Sequence, residues 1–207
     1  MTVDLGTWAP LTPRDVCALF IGVEDQVSWW IAGGYAIELF VGRPLREHGD
    51  IDVLMLRRDQ HRIHDVLDGW DIHAAGPPGQ LRRWPSGETL PEAVHDIWCS
   101  ETPDGPWRFQ VMLDESDGTL WRSRVNSQVC LPVPLLGRRT AIRGWPYLTP
   151  EVQLFYKARH TRAKDEMDFA AAAPLLDERA RSWLDDALRR TVPEHHWRTA
   201  LRTSSSD

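Results

Sequence analysis

The sequence has few of the features that mark secreted, zinc-binding or membrane-spanning proteins. Its 207 residues include three cysteines, which are widely separated and form no CxxC pair. This pattern disfavours both a disulfide framework and a structural zinc site. No apolar run approaches the roughly 20 residues that a membrane-spanning helix needs, and the N-terminal residues lack the basic-then-apolar order of a signal peptide. We therefore expect a cytoplasmic protein with no membrane partner.

Positive charge is also scarce. Lys and Arg number 24 against 30 Asp and Glu, which gives a formal net charge of −6. Surfaces that bind nucleic acid gain affinity from clustered basic residues, so a nucleic-acid partner is disfavoured and a neutral or cationic partner is easier to accommodate. Hydrophobic residues make up 42% of the chain and include 11 tryptophans. This content is enough to bury a core in one domain or two small ones.

The first two thirds of the chain show alternating helix and strand signals. Thr12 followed by Pro13 predicts a helix start, because Thr is a common N-cap and Pro suits the first helical position. Residues 29–32 predict a short buried strand, followed by a helical pattern that begins at residue 35. Further strands are predicted at 94–99 and 107–113, and the turn-rich linker between them suits an antiparallel hairpin.

The character changes to helix near residue 149. Pro150 again follows a threonine, and Asp177 is predicted to cap a later helix. We therefore predict an α/β domain over 1–148, a C-terminal helical region over 149–202 and a disordered tail over 203–207.

Two carboxylates and two glycines form the pattern that carries chemistry. Asp50 and Asp52 begin a predicted apolar strand, where alternation places both side chains on one face with Cβ atoms roughly 6 to 7 Å apart. Such a pair can share Mg²⁺ when a nucleoside triphosphate supplies further oxygen ligands. Gly33 and Gly34 precede a helix and would let backbone amides approach phosphate. Each piece alone is common by chance, and their order makes the pattern specific.

This order, a strand, a double glycine, a helix and a strand that opens with D-x-D, resembles the DNA polymerase beta nucleotidyltransferase superfamily. The segment from Trp30 to Val53 looks most like the antibiotic-modifying branch, the aminoglycoside and lincosamide nucleotidyltransferases. The resemblance covers residues 29–57 strongly and the C-terminal helices weakly. It implies an α/β (α+β) fold, in which a mixed β-sheet nucleotidyltransferase core is flanked by helices and followed by a C-terminal helical part.

The resemblance also implies an enzyme. It would transfer a nucleoside monophosphate from an Mg²⁺-bound nucleoside triphosphate, with ATP as the expected donor, to a hydroxyl of a small acceptor such as an aminoglycoside-like antibiotic. By position, Asp50 and Asp52 would be the metal ligands, and Gly33 and Gly34 the phosphate-side turn. Two alternatives stay open: a transferase that acts on RNA or protein, and a catalytically silent scaffold that binds nucleotide.

The family normally supplies a third carboxylate from a later strand, and here the sequence departs from that pattern. The mid-strand position that would hold the acid is Gln110, and an amide cannot accept a proton as a general base. Asp114 comes at the end of the same strand and on the same face. We predict that Asp114 does this work, with metal activation of the hydroxyl as one alternative. The other alternative is that Asp114 only begins the polar turn over residues 114–118.

Basic residues on either side of these motifs are candidates for phosphate binding. Arg46 and His48 lie on the loop that enters the aspartate strand and could contact phosphate or acceptor. Residues 156–168 resemble a segment of this branch in which a Lys-Asp-x-x-Asp run opens a helix near the nucleotide. Lys157 or Lys164 would then neutralise triphosphate charge. The alternative is an ordinary solvated helix start.

Overall fold

The first helix begins where the cap signal predicts it. α1 (Pro13–Leu19) follows Thr12, whose hydroxyl accepts a hydrogen bond from the N–H of Asp15 at 3.3 Å. The Asp15 carboxylate accepts from the N–H of Thr12 at 3.1 Å, which completes a capping box. The Thr12 hydroxyl also donates to Asp15 Oδ2 at 2.7 Å, and this hydrogen bond, together with the one from the Thr12 N–H, holds the pKa of Asp15 below its ordinary value. The predicted helix start is confirmed, and α1 buries Val16 completely.

The computed structural model describes residues 6–23, 26–76 and 80–203. The chain divides into two compact units, each assembled from two stretches of sequence. Unit 1 comprises Met1–Ile31 and Glu47–Ser116, and unit 2 comprises Ala32–Arg46 and Asp117–Asp207.

Unit 1 is built on a mixed sheet. Among the residues described, its strands are β1 (Trp29–Ile31), β2 (Asp52–Leu56), β3 (Asp71–Gly76), β4 (Gln80–Arg83), β5 (Asp96–Ser100) and β6 (Trp107–Ser116). Within the unit they lie in the order β4-β3-β5-β6-β2-β1. β2 and β6 are parallel, whereas the other neighbours are antiparallel. The mixed sheet and the β5–β6 hairpin are as predicted.

Burial alternates along β6 and distinguishes the two faces of this sheet. Phe109, Val111 and Leu113 are fully buried, whereas Gln110 and Met112 between them are half-exposed. A second helix of unit 1, α3 (Arg62–Val66), follows β2 and buries its apolar side chain at position 63. The more accessible face of β6 is therefore the one that carries Gln110 and Met112.

Unit 2 consists mainly of helices. Its described helices are α2 (Gly33–Val41), α4 (Pro150–Lys157), α5 (Ala163–Ala172), α6 (Glu178–Thr191) and α7 (Trp197–Thr203). Two antiparallel hairpins accompany them, one formed by β7 (Leu120–Arg122) with β8 (Cys130–Pro132) and the other by β9 (Gly137–Arg139) with β10 (Pro146–Leu148). None of these four short strands is predicted from the sequence.

The helix starts of unit 2 follow local signals. Pro150 opens α4, and the Asp177 carboxylate accepts from the N–H of Ala180 at 2.7 Å at the start of α6. This hydrogen bond holds the pKa of Asp177 below its ordinary value. The sequence analysis places the end of the α/β domain at residue 148. This residue lies inside unit 2, whose second stretch of sequence begins at Asp117.

Two further features concern the helices and the chain end. Thr203 is the last residue of α7, and residues 204–207 of the predicted tail lie outside the described residues. No helix in the described parts of the chain combines the length and apolar character needed to cross a membrane.

Candidate active site

Asp52 is the first residue of β2, and Asp50 lies two residues before the strand. Asp50 is exposed and Asp52 half-buried, whereas Ile51 between them is 1% exposed. The carbonyl of Ile51 accepts a hydrogen bond from the N–H of Gln110 at 3.0 Å, so pairing with β6 extends beyond the first residue of β2. Since side chains alternate along an extended strand, Asp50 and Asp52 point to the same face.

The donor set at this position fits Mg²⁺ only with help from a substrate. Two carboxylates provide hard oxygen ligands of the kind that Mg²⁺ prefers. In the described residues, no group of three or more His, Cys, Asp or Glu side chains is placed to hold a metal ion. Asp50 and Asp52 therefore suit an ion that takes its remaining ligands from phosphate oxygens and water.

Strand register decides which side chains lie beside Asp52. Gln110 is its direct partner across the parallel β2–β6 pair, whereas Asp114 pairs with Leu56 at the far end of both strands. Four residues of strand, about 13 Å, separate Asp114 from Gln110, and Asp114 is fully buried. The structure therefore does not bring Asp114 to the aspartate pair, and its predicted role as a base gains no support from the geometry.

Asp96 is the carboxylate that the site-residue predictions missed. Gln110 donates a hydrogen bond from Nε2 to Asp96 Oδ1 at 2.9 Å. Asp96 is half-buried on β5, opposite Met112, and Trp98 on the same strand lies opposite Gln110. The alternation within the predicted strand 94–99 signals that Asp96 and Trp98 share a face, but the pairing partner of that face depends on the sheet register.

The double glycine opens α2 rather than preceding it. Gly33 is the first residue of the helix, two positions earlier than predicted, and adopts a φ of +66°. Its N–H donates to Gln153 Oε1 at 2.7 Å, and both residues are buried. Gly34 is half-buried in the first turn, where backbone amides lack intrahelical acceptors and can bind an anion.

Lys157 belongs to a buried ion-pair network. Its Nζ lies 2.9 Å from Asp165 Oδ1 and 2.9 Å from Asp168 Oδ2, and Arg46 approaches the same Asp168 oxygen at 3.4 Å. Burial by itself would raise the pKa of Asp165, but hydrogen bonds from Arg162 and Lys157 hold it well below its ordinary value. Lys157 and Arg46 thus have carboxylate partners inside unit 2.

The other basic candidates lie closer to solvent. Lys164 is half-buried on α5, and His48 is half-buried on the loop before β2. The structure leaves the predicted phosphate contacts of both residues untested.

Fold and motif together define a class of protein. A mixed sheet flanked by helices carries a strand, a helix that opens with two glycines, and a second strand that starts at a pair of aspartates. This is the nucleotidyltransferase fold with its sequence motif, as predicted.

Comparison with known families agrees with this class. Residues 16–76 match the family described as Aminoglycoside-2''-adenylyltransferase, and the match includes both glycines and both aspartates. The predicted resemblance to antibiotic nucleotidyltransferases is therefore confirmed over this segment. No curated protein is significantly similar to the chain in sequence.

Solved structures share the fold at low sequence identity. The lincosamide antibiotic adenylyltransferase LnuA in its lincomycin-bound form is 16% identical, with 79% of this chain and 97% of that chain covered and a TM-score of 0.53. ANT(2'')-Ia in complex with adenylyl-2''-tobramycin is also 16% identical, with 86% and 97% covered and a TM-score of 0.51. At this identity the likeness establishes the fold.

Proposed function

We propose that the protein transfers a nucleoside monophosphate, with ATP as donor and Mg²⁺ as cofactor, to a hydroxyl of a small antibiotic-like acceptor. The observation that carries this proposal is the burial pattern where β2 begins, with Asp50 exposed, Ile51 buried and Asp52 half-buried, as alternation in an extended strand requires if both aspartates share a face. The family match over residues 16–76 supports it independently.

The aspartate pair holds the cofactor in this proposal. Asp50 and Asp52 would bind Mg²⁺, which when bound neutralises charge on the triphosphate and lowers the barrier for attack at the α-phosphorus. Their position at the start of the strand keeps one carboxylate exposed and the other half-buried. The residues thus leave room for substrate oxygens as the remaining ligands.

Backbone amides and cationic side chains are proposed to bind the phosphates. The first turn of α2 offers the N–H of Gly34 and the positive end of the helix dipole, and Gly33, whose N–H is held by Gln153, lets the backbone come close to phosphate because it has no Cβ. Arg46, Lys157 and Lys164 are the proposed side-chain contributors. The buried carboxylates that surround Lys157 would hold its ammonium group in place rather than leave it to move in solvent.

The acceptor is proposed to be a small hydroxylated and cationic molecule. The net charge of −6 favours a cation. On the face that carries Asp52, Trp98 offers a half-exposed aromatic ring, and such rings attract ammonium groups. LnuA and ANT(2'')-Ia, which share the fold, bind lincomycin and adenylyl-2''-tobramycin respectively, so lincosamides and aminoglycosides are the first acceptors to test.

A transfer assay tests this function directly. The protein is incubated with ATP, Mg²⁺ and a panel of lincosamides and aminoglycosides, while pyrophosphate release and product mass are followed. We expect pyrophosphate, a mass gain of one nucleoside monophosphate on one acceptor, and loss of both in Asp50→Asn and Asp52→Asn. Chelation of Mg²⁺ should abolish activity and added Mg²⁺ should restore it.

A matched control uses an exposed aspartate of the same unit. Asp68→Asn changes the net charge equally at an exposed turn after α3, and it should keep the parent rate. Transfer by the Asp50→Asn and Asp52→Asn proteins at the parent rate would contradict the proposal.

The amide at Gln110 favours a second candidate, a scaffold that binds nucleotide without transferring it. Gln110 occupies the place beside Asp52 and cannot accept a proton. Isothermal titration with ATP and Mg²⁺ separates the two candidates when it is combined with the transfer assay. Metal-dependent binding without product from any acceptor would favour the scaffold.

A further inference from the structure

A hydroxyl that attacks phosphorus must lose its proton. A carboxylate near Asp52 could accept it. In the proposed reaction the acceptor oxygen forms a bond to the α-phosphorus. The bond from that phosphorus to the bridging oxygen of the β-phosphate breaks, and pyrophosphate leaves with the bonding electrons. The hydroxyl proton must pass to a basic group within hydrogen-bonding reach of the acceptor.

We propose that Asp96 is this general base and that Gln110 positions it, a proposal that rests on the proposed function. Asp96 lies on β5, outside the strand that carries Gln110 and Asp114. Its carboxylate takes the proton from the acceptor hydroxyl and returns it to solvent after the product leaves. Gln110 acts through Asp96 and is a positioning residue.

Sheet register places Asp96 on the face of Asp52. Asp52, Gln110 and Trp98 are successive partners across β2, β6 and β5, so their side chains stand in one row on one face. Neighbouring strands lie about 4.8 Å apart. Asp96 is two residues from Trp98 and therefore points to the same side, and its Oδ1 reaches back to Gln110 Nε2 at 2.9 Å. The Gln110 amide thus links the carboxylate of Asp96 to the position beside Asp52.

Other carboxylates on this face are less suitable. Asp71 is 6% exposed, and its carboxylate is already engaged by Arg83 at 3.1 Å and His73 at 3.6 Å. Asp114 is fully buried at the far end of β6. In the described structure Asp96 forms no ion pair, and its hydrogen-bond donor is a neutral amide. Its half-buried carboxylate is accessible from solvent and is not held by a cationic side chain in the described structure.

This arrangement gives a physical reason for an amide, and not an acid, at position 110. A carboxylate there would stand between Asp52 and Asp96 and would repel both of them. The Gln110 amide removes this repulsion and donates a hydrogen bond that orients Asp96. An amide in place of the expected carboxylate on β6 is therefore consistent with catalysis. It does not imply that the protein is a catalytically silent scaffold.

The test compares Asp96→Ala and Asp96→Asn with the parent in the transfer assay. Removing a general base should lower kcat by roughly 10²- to 10⁴-fold while the KM for ATP and the binding of ATP with Mg²⁺ stay near parent values. Formate, a small carboxylate that can enter the space left by Asp96→Ala, should restore part of the rate in that variant and not in Asp96→Asn. A residue with a merely structural role would not respond to formate.

Further variants separate base, positioning and folding effects. Gln110→Leu should lower kcat less than Asp96→Ala, and Asp68→Asn should match the parent. Thermal unfolding of each variant checks that the fold is retained. If either Asp96 variant keeps a rate within about threefold of the parent, the assignment of Asp96 is wrong while the proposed function stands. If the parent transfers to no acceptor, both the proposed function and the role of Asp96 are overturned.

Discussion

The N–H of Gly33 donates a hydrogen bond to Gln153 Oε1 at 2.7 Å, across 120 positions of sequence. Gly33 opens α2 with a φ of +66°, a conformation that costs an L-residue about 1 to 2 kcal/mol. The hydrogen bond ties this first turn to α4, where Gln153 is 5% exposed. The start of α2 therefore depends on both a glycine and a distant amide.

Replacing Gly33 tests this dependence. Gly33→Ala should lower the free energy of unfolding by about 1 to 2 kcal/mol because alanine is strained at positive φ. Gly49→Ala is the control, since φ at Gly49 is not positive and no atom lies within 4 Å of an added Cβ. Urea unfolding followed by tryptophan fluorescence measures both. Equal stability of the two variants would contradict the strain at Gly33.

Removing Trp98 tests the acceptor surface. Trp98→Leu should raise the KM of a cationic acceptor roughly 3- to 30-fold, because a cation–aromatic contact contributes about 0.5 to 2 kcal/mol. The KM of ATP should change little. Steady-state kinetics with a cationic and a neutral acceptor check the prediction, and equal effects on both acceptors would count against it.

Replacing Lys157 tests the buried ion-pair network. Lys157→Met should destabilise the protein by about 3 to 5 kcal/mol, because Asp165 and Asp168 would lose a cation that is 2.9 Å from each. The double variant Lys157→Met with Asp165→Asn should recover part of this loss. Thermal and urea unfolding provide the comparison. Additive losses in the double variant would show that the two residues are not coupled.

The same network predicts a dependence of stability on pH. Hydrogen bonds from Arg162 and Lys157 hold the pKa of Asp165 below its ordinary value of 3.8. A carboxyl group with a lowered folded-state pKa stabilises the fold above its unfolded-state pKa, and this contribution is lost as the pH falls below about 4. The stability difference between the parent and Asp165→Asn should therefore shrink between pH 6 and pH 3, as measured by urea unfolding. A constant difference would refute this prediction.

Local signals explain why parts of the fold are predictable from the sequence. The start of α1 depends on Thr12, Pro13 and Asp15, which lie within one helical turn and form their hydrogen bonds with each other. The same holds for Asp177 at the start of α6. The short strands β7 to β10 carry three residues each, too few for an alternating pattern to stand out.

The motif itself was determined by sequence. The order of a strand, Gly33-Gly34, a helix and a strand that opens with D-x-D depends only on neighbouring residues and their spacing, and its resemblance to the nucleotidyltransferase superfamily predicted the fold. Alternation along β2 also predicts that the two aspartates share a face.

Only the tertiary structure decided which residues stand beside that motif. Gln110 lies opposite Asp52 and binds Asp96, whereas Asp114 lies at the other end of the strand. Alternation predicts the face of each side chain but not the register, which is settled when strands distant in sequence pair and bury their apolar residues together. For this reason the third carboxylate of the candidate site, Asp96, emerged from the sheet and not from the sequence.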